Sequence, residues 1–307
     1  MNSTTVRRVT LSIAVASALA GVAACGASDA GEGGKAAGRR PVRVSPIAAL
    51  RTAETSTDKA ESAKVRSTMT LGSAFSMTAS GSMSWSRGIR GTMNIAYTGG
   101  KMADAMRATG NSSLETRYLP DGFYVNMGDK LASVLGGKHW LEYAYDDLAK
   151  IGGGSGAYLK DQMRSTAPKE PVTMLLASGQ VKKVGEETVE GQHTTHYAGT
   201  LNVGDMMSRT SHRLSAAQLA KAKKQLEESG VTAEHVDVWI DDQNLMVKQT
   251  QKARFTKGPM VGPMTVTAYY TDYGTPVSAA APRADDTENF TDFMKTLAAM
   301  RRAHPSS

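Results

Sequence analysis

Few side chains in this sequence are spaced for covalent or metal chemistry. His193 and His196 lie three apart in a segment that alternates polar and apolar residues. On a strand that spacing sends them to opposite faces, so they do not converge on a metal. Asp146-Asp147 and Asp241-Asp242 are adjacent pairs, the second among turn formers, and read as solvated turn acids rather than a paired acid and base. Gly152-Gly153-Gly154-Ser155-Gly156 lacks the Lys-Ser/Thr that follows the glycines of a phosphate loop and reads as a flexible loop. No Gly-x-Ser-x-Gly elbow occurs. The expectation is a protein that is not an enzyme and carries no metal and no cofactor. One residue stands apart: Cys25, the only thiol in 307 residues.

Cys25 closes a short apolar run, Leu11 to Ala20, that follows Arg7-Arg8. A basic start, an apolar stretch and small residues before a cut describe a secretory leader. Val22-Ala23-Ala24-Cys25 resembles the lipobox of bacterial lipoproteins. In that chemistry the thiol takes a diacylglyceryl group as a thioether. A peptidase then cuts before the cysteine, and the freed amino group accepts an acyl chain. Residues 1–24 are then a removed signal peptide, and Cys25 is the lipidation site. The leader fits general secretion better than the twin-arginine route, for which Arg7-Arg8-Val9-Thr10-Leu11 is a poor match. The apolar run is far shorter than the roughly 20 residues of a spanning helix. Anchoring therefore falls to the acyl chains, each buried CH₂ contributing about 0.8 kcal/mol. The expected place is the outer face of the cytoplasmic membrane.

Formal net charge is +7, with basic and acidic residues interspersed, so no nucleic-acid footprint is present. Aromatic residues make up only 6%, whereas there are 17 methionines. Methionine fills irregular space and suits surfaces that accept varied apolar partners, or it simply replaces leucine and isoleucine in a core.

Residues 25–44 are rich in Gly, Ala and Ser and read as a tether. Ser45-Pro46 starts a helix that runs to about Ala63, with a weak apolar face of Ile47, Leu50, Ala53, Thr57 and Ala60. The period then changes to two. Val65, Ser67, Met69 and Leu71, then Phe75, Met77, Ala79, Met83 and Trp85, then Met93, Ile95 and Tyr97 mark half-buried antiparallel strands. Turns are expected at Gly72-Ser73, Gly81-Ser82, Arg87-Gly88, Gly99-Gly100 and Leu119-Pro120-Asp121-Gly122. Met102 to Ala108 and Leu114 to Tyr118 continue the meander, and Phe123, Val125 and Met127 share a face. Pro171 opens a short helix that stops near Gly179. A hairpin turns at Glu190-Gly191. Ser215 and Gln218 form a capping box, with Leu214 and Leu219 as its staple. Strands follow through Val236, Val238 and Ile240, through 245–255, and through Val266, Ala268 and Tyr270. Pro276 and Pro282 end the sheet, and an amphipathic helix runs from Asp286, with Phe290, Phe293, Met294, Leu297 and Met300 on one side.

Several of these residues carry a further resemblance. Val184-Gly185-Glu186-Glu187-Thr188-Val189-Glu190-Gly191 with Thr194-Thr195-His196-Tyr197 and Gly199-Thr200 resembles the mid-domain hairpin of LppX/LprG-type actinobacterial lipoproteins. Val236-Asp237-Val238-Trp239-Ile240-Asp241-Asp242 and Tyr273-Gly274-Thr275-Pro276-Val277 fit the same pattern. With the lipobox, the resemblance spans most of residues 22–282. It implies an α+β fold: a strongly curved antiparallel sheet, a half-barrel like those of the LolA/LolB carriers, with helices packed on its concave face. The domain would span 45–282, with 283–307 as a C-terminal helix and tail that could cap a cavity. The implied function is a membrane-anchored carrier of a lipid or glycolipid, the alternative an envelope protein-interaction or sensor module without a bound lipid. The candidate cavity lining is Met69, Leu71, Phe75, Met77, Met83, Met93 and Ile95, on a face that periodicity alone does not orient. The expected partners are the cytoplasmic membrane, through the anchor, and that lipid; no protein partner is specified.

Overall fold

A computed structural model describes residues 45–108, 110, 113–151, 167–202, 220, 224, 227–258 and 261–303. Cys25 with its leader and tether, the Gly152–Gly156 run, and the capping box at Ser215 and Gln218 lie outside the described residues.

Helix α1 (Pro46–Lys59) opens as its sequence dictates. The Ser45 hydroxyl accepts the Ala48 N–H at 3.2 Å, and Pro46 fills the first helical position, where no N–H is needed. Leu50, Ala53 and Thr57 are buried on one face, while Ile47 is 43% exposed. The helix stops before Ala63: Glu61 takes φ 61°, and the chain enters β1 at Ser62.

Strands β1 (Ser62–Leu71), β2 (Phe75–Ser84) and β3 (Arg90–Gly99) form an antiparallel meander. Gly81-Ser82 is not a turn. Gly81 lies inside β2 because a Cβ there would come within 1.9 Å of the Thr92 carbonyl oxygen of β3. Met102 to Ala108 is not a strand either. From Gly100, at φ 77°, the chain coils into α2 (Gly100–Ala108), burying Ala103 against the β2–β3 end.

The meander resumes with β4 (Leu114–Leu119), β5 (Gly122–Asn126) and β6 (Trp140–Ala144), the last two linked through the short α3 (Asp129–Ala132). Helix α4 (Tyr145–Ile151) follows. Helix α5 (Glu170–Ser178) ends at Gly179, whose φ of 67° suits a residue without Cβ. Strands β7 (Lys182–Val189) and β8 (Gln192–Asn202) turn on Glu190 and Gly191, both at positive φ. Strands β9 (Ala233–Asp241), β10 (Met246–Phe255) and β11 (Gly262–Thr271) complete the second half.

The sheet does not end at the prolines. Beyond β11 the chain crosses the outer face, where Arg90 and Arg117 donate to the carbonyls of Ala279 (2.9 Å) and Ala280 (3.4 Å). Ala279 packs there with Leu119, Tyr124 and Trp140. A short β12 (Thr287–Asn289) then adds parallel to β6, and α6 (Phe290–Ala303) starts where the Asn289 side chain accepts the Thr291 N–H at 2.8 Å.

The order β12-β6-β5-β4-β3-β2-β1-β11-β10-β9-β8-β7 gives twelve strands, antiparallel except for β12, in a sheet that does not close. This is the expected α+β half-barrel. Its inner face is the one that α1 and α5 cover: Leu50, Ala53, Val172, Met174 and Leu175 pack on Ala63, Val236, Val238, Ala268 and Tyr270. Lys169 pairs with Asp58 at 2.7 Å and Thr173 donates to Glu54 at 2.5 Å, tying the two helices together.

Candidate functional site: the inner face of the sheet

Register decides which residues share a face, because side chains directly opposite on paired strands point the same way. Met69 faces Met77, Leu71 faces Phe75, and Ala63 faces Met83. Met77 faces Tyr97, Ala79 faces Ile95, and Gly81 faces Met93. All seven residues proposed from the sequence therefore lie on the inner face. They divide into three groups. Met83 packs with the helix-covered core. Leu71 and Phe75 form the tip of the β1–β2 hairpin, Leu71 buried and Phe75 half-buried. Met69, Met77, Met93 and Ile95 begin a strip that leads away from α1 and α5 toward β6.

That strip continues through residues that sequence reasoning did not assign to a site. Tyr118 on β4, Phe123 on β5, Tyr143 on β6 and Phe290 on α6 stack in a row. Ring centroids lie 5.9 Å apart for Tyr118–Phe123, 4.7 Å for Phe123–Tyr143 and 4.7 Å for Tyr143–Phe290. Tyr118, Phe123 and Tyr143 each lie on the inner-facing positions of their strands and Phe290 opens α6, so only the strand order and the docking of α6 bring the four together. Burial, and then the nearby Tyr97, push the Tyr118 and Tyr143 hydroxyls up to about 12. These phenols stay neutral hydrogen-bonding groups in an otherwise apolar strip. Met77, Ile95, Tyr97, Phe123 and Tyr143 are half-buried, in contrast to the sealed residues beneath α1 and α5, and the half-buried Tyr118 packs against that sealed core. Such a Met-aromatic surface accepts apolar shapes without dictating one.

Toward the other end of the same face sits a buried acid. Glu234 on β9 faces Leu201 and Ala253, is 7% exposed, and has no hydrogen-bond or ion-pair partner among the described residues. Burial pushes its carboxyl up to about 7.

His193 and His196 lie on opposite faces, as their spacing requires. His193 meets Asp242 at 2.9 Å, while His196 meets Asp237 at 2.8 Å on the outer face. Asp241 accepts the N–H groups of Gln243 (2.9 Å) and Leu245 (2.7 Å), a turn-forming role. Asp147 approaches the Asn289 amide at 3.3 Å, at the start of α6. Among the described residues, no three His, Cys, Asp or Glu side chains are grouped to hold a metal.

No protein-family model matches the chain. A Streptomyces coelicolor protein described as "Putative lipoprotein SCO4650" is 40% identical over 311 residues, covering 96% of this chain and 98% of its own. The chain belongs to that lipoprotein family. A second relative of this lipoprotein, a 31.2 kDa protein of Streptomyces griseus, is 44% identical over 254 residues, with 82% of each chain covered. Among solved structures, the Mycobacterium tuberculosis lipoprotein LppX is similar with a TM-score of 0.45 at 14% identity, over 76% of this lipoprotein and 98% of LppX. No helix among the described residues of the lipoprotein is long and apolar enough to cross a membrane.

Proposed function

We propose that the protein is anchored through Cys25 to the outer face of the cytoplasmic membrane, and that its inner sheet face carries the acyl chains of a lipid or glycolipid. Residues 1–24 would be removed and 25–44 would hold the domain off the bilayer. The observation that carries the second half of this proposal is the half-buried strip from Met69 to Phe290. Met77, Ile95, Tyr97, Phe123 and Tyr143 stay partly open on a face whose other half is sealed by helices. Acyl chains covering that strip would gain about 25 cal/mol for each Å² of apolar surface removed from water. The proposed role of this face is to bind and shape acyl chains, carriage without catalysis.

The test uses wild type and Cys25→Ser, expressed in an actinobacterial host. Serine lacks the sulfur that a thioether requires, so Cys25→Ser remains unlipidated and leaves the membrane fraction, while wild type carries a diacylglyceryl mass on its N-terminal peptide. Lipids extracted from the folded wild-type chain and weighed by mass spectrometry are expected at about one per protein. An unmodified wild-type N-terminus overturns the anchor. A lipid-free chain that crosslinks to a single stoichiometric protein in intact cells overturns carriage and favours an interaction module.

A further inference from the structure

The outer face of the second half carries a groove of about 400 Å³ that is unrelated to the inner strip, with β10 as its floor. Its construction follows from register. His196, Trp239, Lys248, Tyr269 and Arg66 stand side by side on β8, β9, β10, β11 and β1. The row alternates imidazole or cation with aromatic ring. His196 stacks on Trp239 with centroids 4.3 Å apart, Lys248 Nζ lies 4.0 Å from the Trp239 centroid, and the Arg66 guanidinium lies 4.5 Å from that of Tyr269. Further along the same face of β10 come Thr250 and Lys252, facing Thr267 and Thr265 of β11. The two lysine positions are four residues apart, about 13 Å of extended backbone, with Thr250 between them.

The groove and its rim carry both signs of charge, but the carboxylates and the lysines differ in how they are held. Every carboxylate there has a partner: Asp237 meets His196 at 2.8 Å and His235 at 3.4 Å, Glu187 accepts the Trp239 indole N–H at 2.5 Å, and Glu190 meets Arg66 at 3.1 Å. Lys248 and Lys252 have no carboxylate within ion-pair reach among the described residues. Trp239 and Tyr269 hold Lys248 through their ring faces, so its ammonium keeps donors free for an anion. An ammonium is a compact point charge with rotatable donors, suited to tetrahedral oxyanions rather than to the planar fork that arginine offers a carboxylate. Threonine hydroxyls beside it add neutral donors of the kind such oxygens accept.

We propose that this outer groove binds a phosphate-bearing anion, with oxygens taken by Lys248 and Lys252 and by the hydroxyls of Thr250, Thr265 and Thr267. The phosphate could belong to a lipid headgroup or to a soluble phosphate ester, and the experiment separates the two. The processed full chain is titrated at low salt with inorganic phosphate, with sn-glycerol 3-phosphate and with short-chain phosphatidylglycerol below its micelle concentration. Binding is read by calorimetry and by intrinsic tryptophan fluorescence, to which Trp239, in contact with Lys248, contributes. Lys252→Gln is expected to weaken binding by about tenfold or more, and the Lys248→Gln/Lys252→Gln pair to abolish it. Lys252 is exposed and makes no ring contact, so Lys252→Gln keeps the test valid if the double variant misfolds. Equal binding of glycerol phosphate and phosphatidylglycerol supports a site for the phosphate group itself; binding of phosphatidylglycerol alone supports a headgroup site. Failure of all three probes to bind wild type, or undiminished binding by Lys252→Gln, overturns the proposal.

Discussion

Glu234 places a carboxyl on the inner face between Leu201 and Ala253, with no partner among the described residues to offset its burial. Its charged form is disfavoured, and its pKa rises from 4.5 to about 7. The sign follows from proton counting. Below pH 4.5 folded and unfolded chains both hold the proton, and Glu234 makes no difference. Between 4.5 and about 7 the unfolded chain ionises first, so stability falls as pH rises, and above 7 the full loss is present. The shift sets an upper bound of about 3 kcal/mol. Glu234→Gln is therefore expected to match wild type in urea melts at pH 4 and to exceed it at pH 8. A difference of the same size at both pH values would show that Glu234 does not titrate across this window. The residue is invisible in the sequence, where it is one acid among 29. Only the ladder that sets it opposite Leu201 reveals its burial.

At the scale of elements, local chemistry was legible wherever it acts alone. Ser45-Pro46 caps α1 as written, and Glu190-Gly191 supplies the two positive φ values of a tight hairpin. The odd-numbered apolar residues of β1 to β3 share a face because a strand repeats every two residues. Elements governed by distant partners were not legible. Gly81 looks like punctuation, yet it is a strand residue that lets β3 approach. Helix α2 reads as a strand in the sequence because a nine-residue segment satisfies either period loosely. Strand β12 has three residues and exists only because β6 offers an unpaired edge. The aromatic row was illegible for the same reason, since its rings come from four elements. Phe290 is its outermost ring, and its stack on Tyr143 docks α6. Phe290→Ala removes one aromatic pair, worth about 0.5–1.5 kcal/mol beyond the area it buries. The expected result is faster hydrogen exchange across 287–303 with nearly unchanged protection in β8 to β11. Unchanged exchange in the tail would mean that Lys138–Glu288 (2.6 Å) and His139–Asp286 (2.6 Å) hold it without the ring.

For the whole molecule, the seam between β1 and β11 matters most. Every other neighbouring pair but β12–β6 is adjacent in the chain, so sequential antiparallel pairing builds two half-sheets, β2 to β6 and β7 to β11. Strand β1 joins them. It pairs with β2 on one side and, from Lys64↔Thr271 to Leu71↔Met264, with β11 on the other. The core enforces the same union, since α1 leads into β1 yet packs Leu50 and Ala53 among residues of β9, β11 and α5. The tail reinforces it again, leaving β11 and ending on β6. The inner strip and the outer groove thus sit on one cooperative body. Ser67 is the position to test, because it lies mid-strand opposite both Ala79 and Ala268. Ser67→Pro deletes a donor from a strand paired on both sides and forces the ring against its neighbours, at a cost of about 3 kcal/mol or more. Hydrogen exchange read on peptides from β4–β5 and from β8–β9 should show both losing protection together, in a single transition at lower denaturant. If one half keeps its protection while the other melts, the seam does not couple them, and the sheet is two folding units that share a strand.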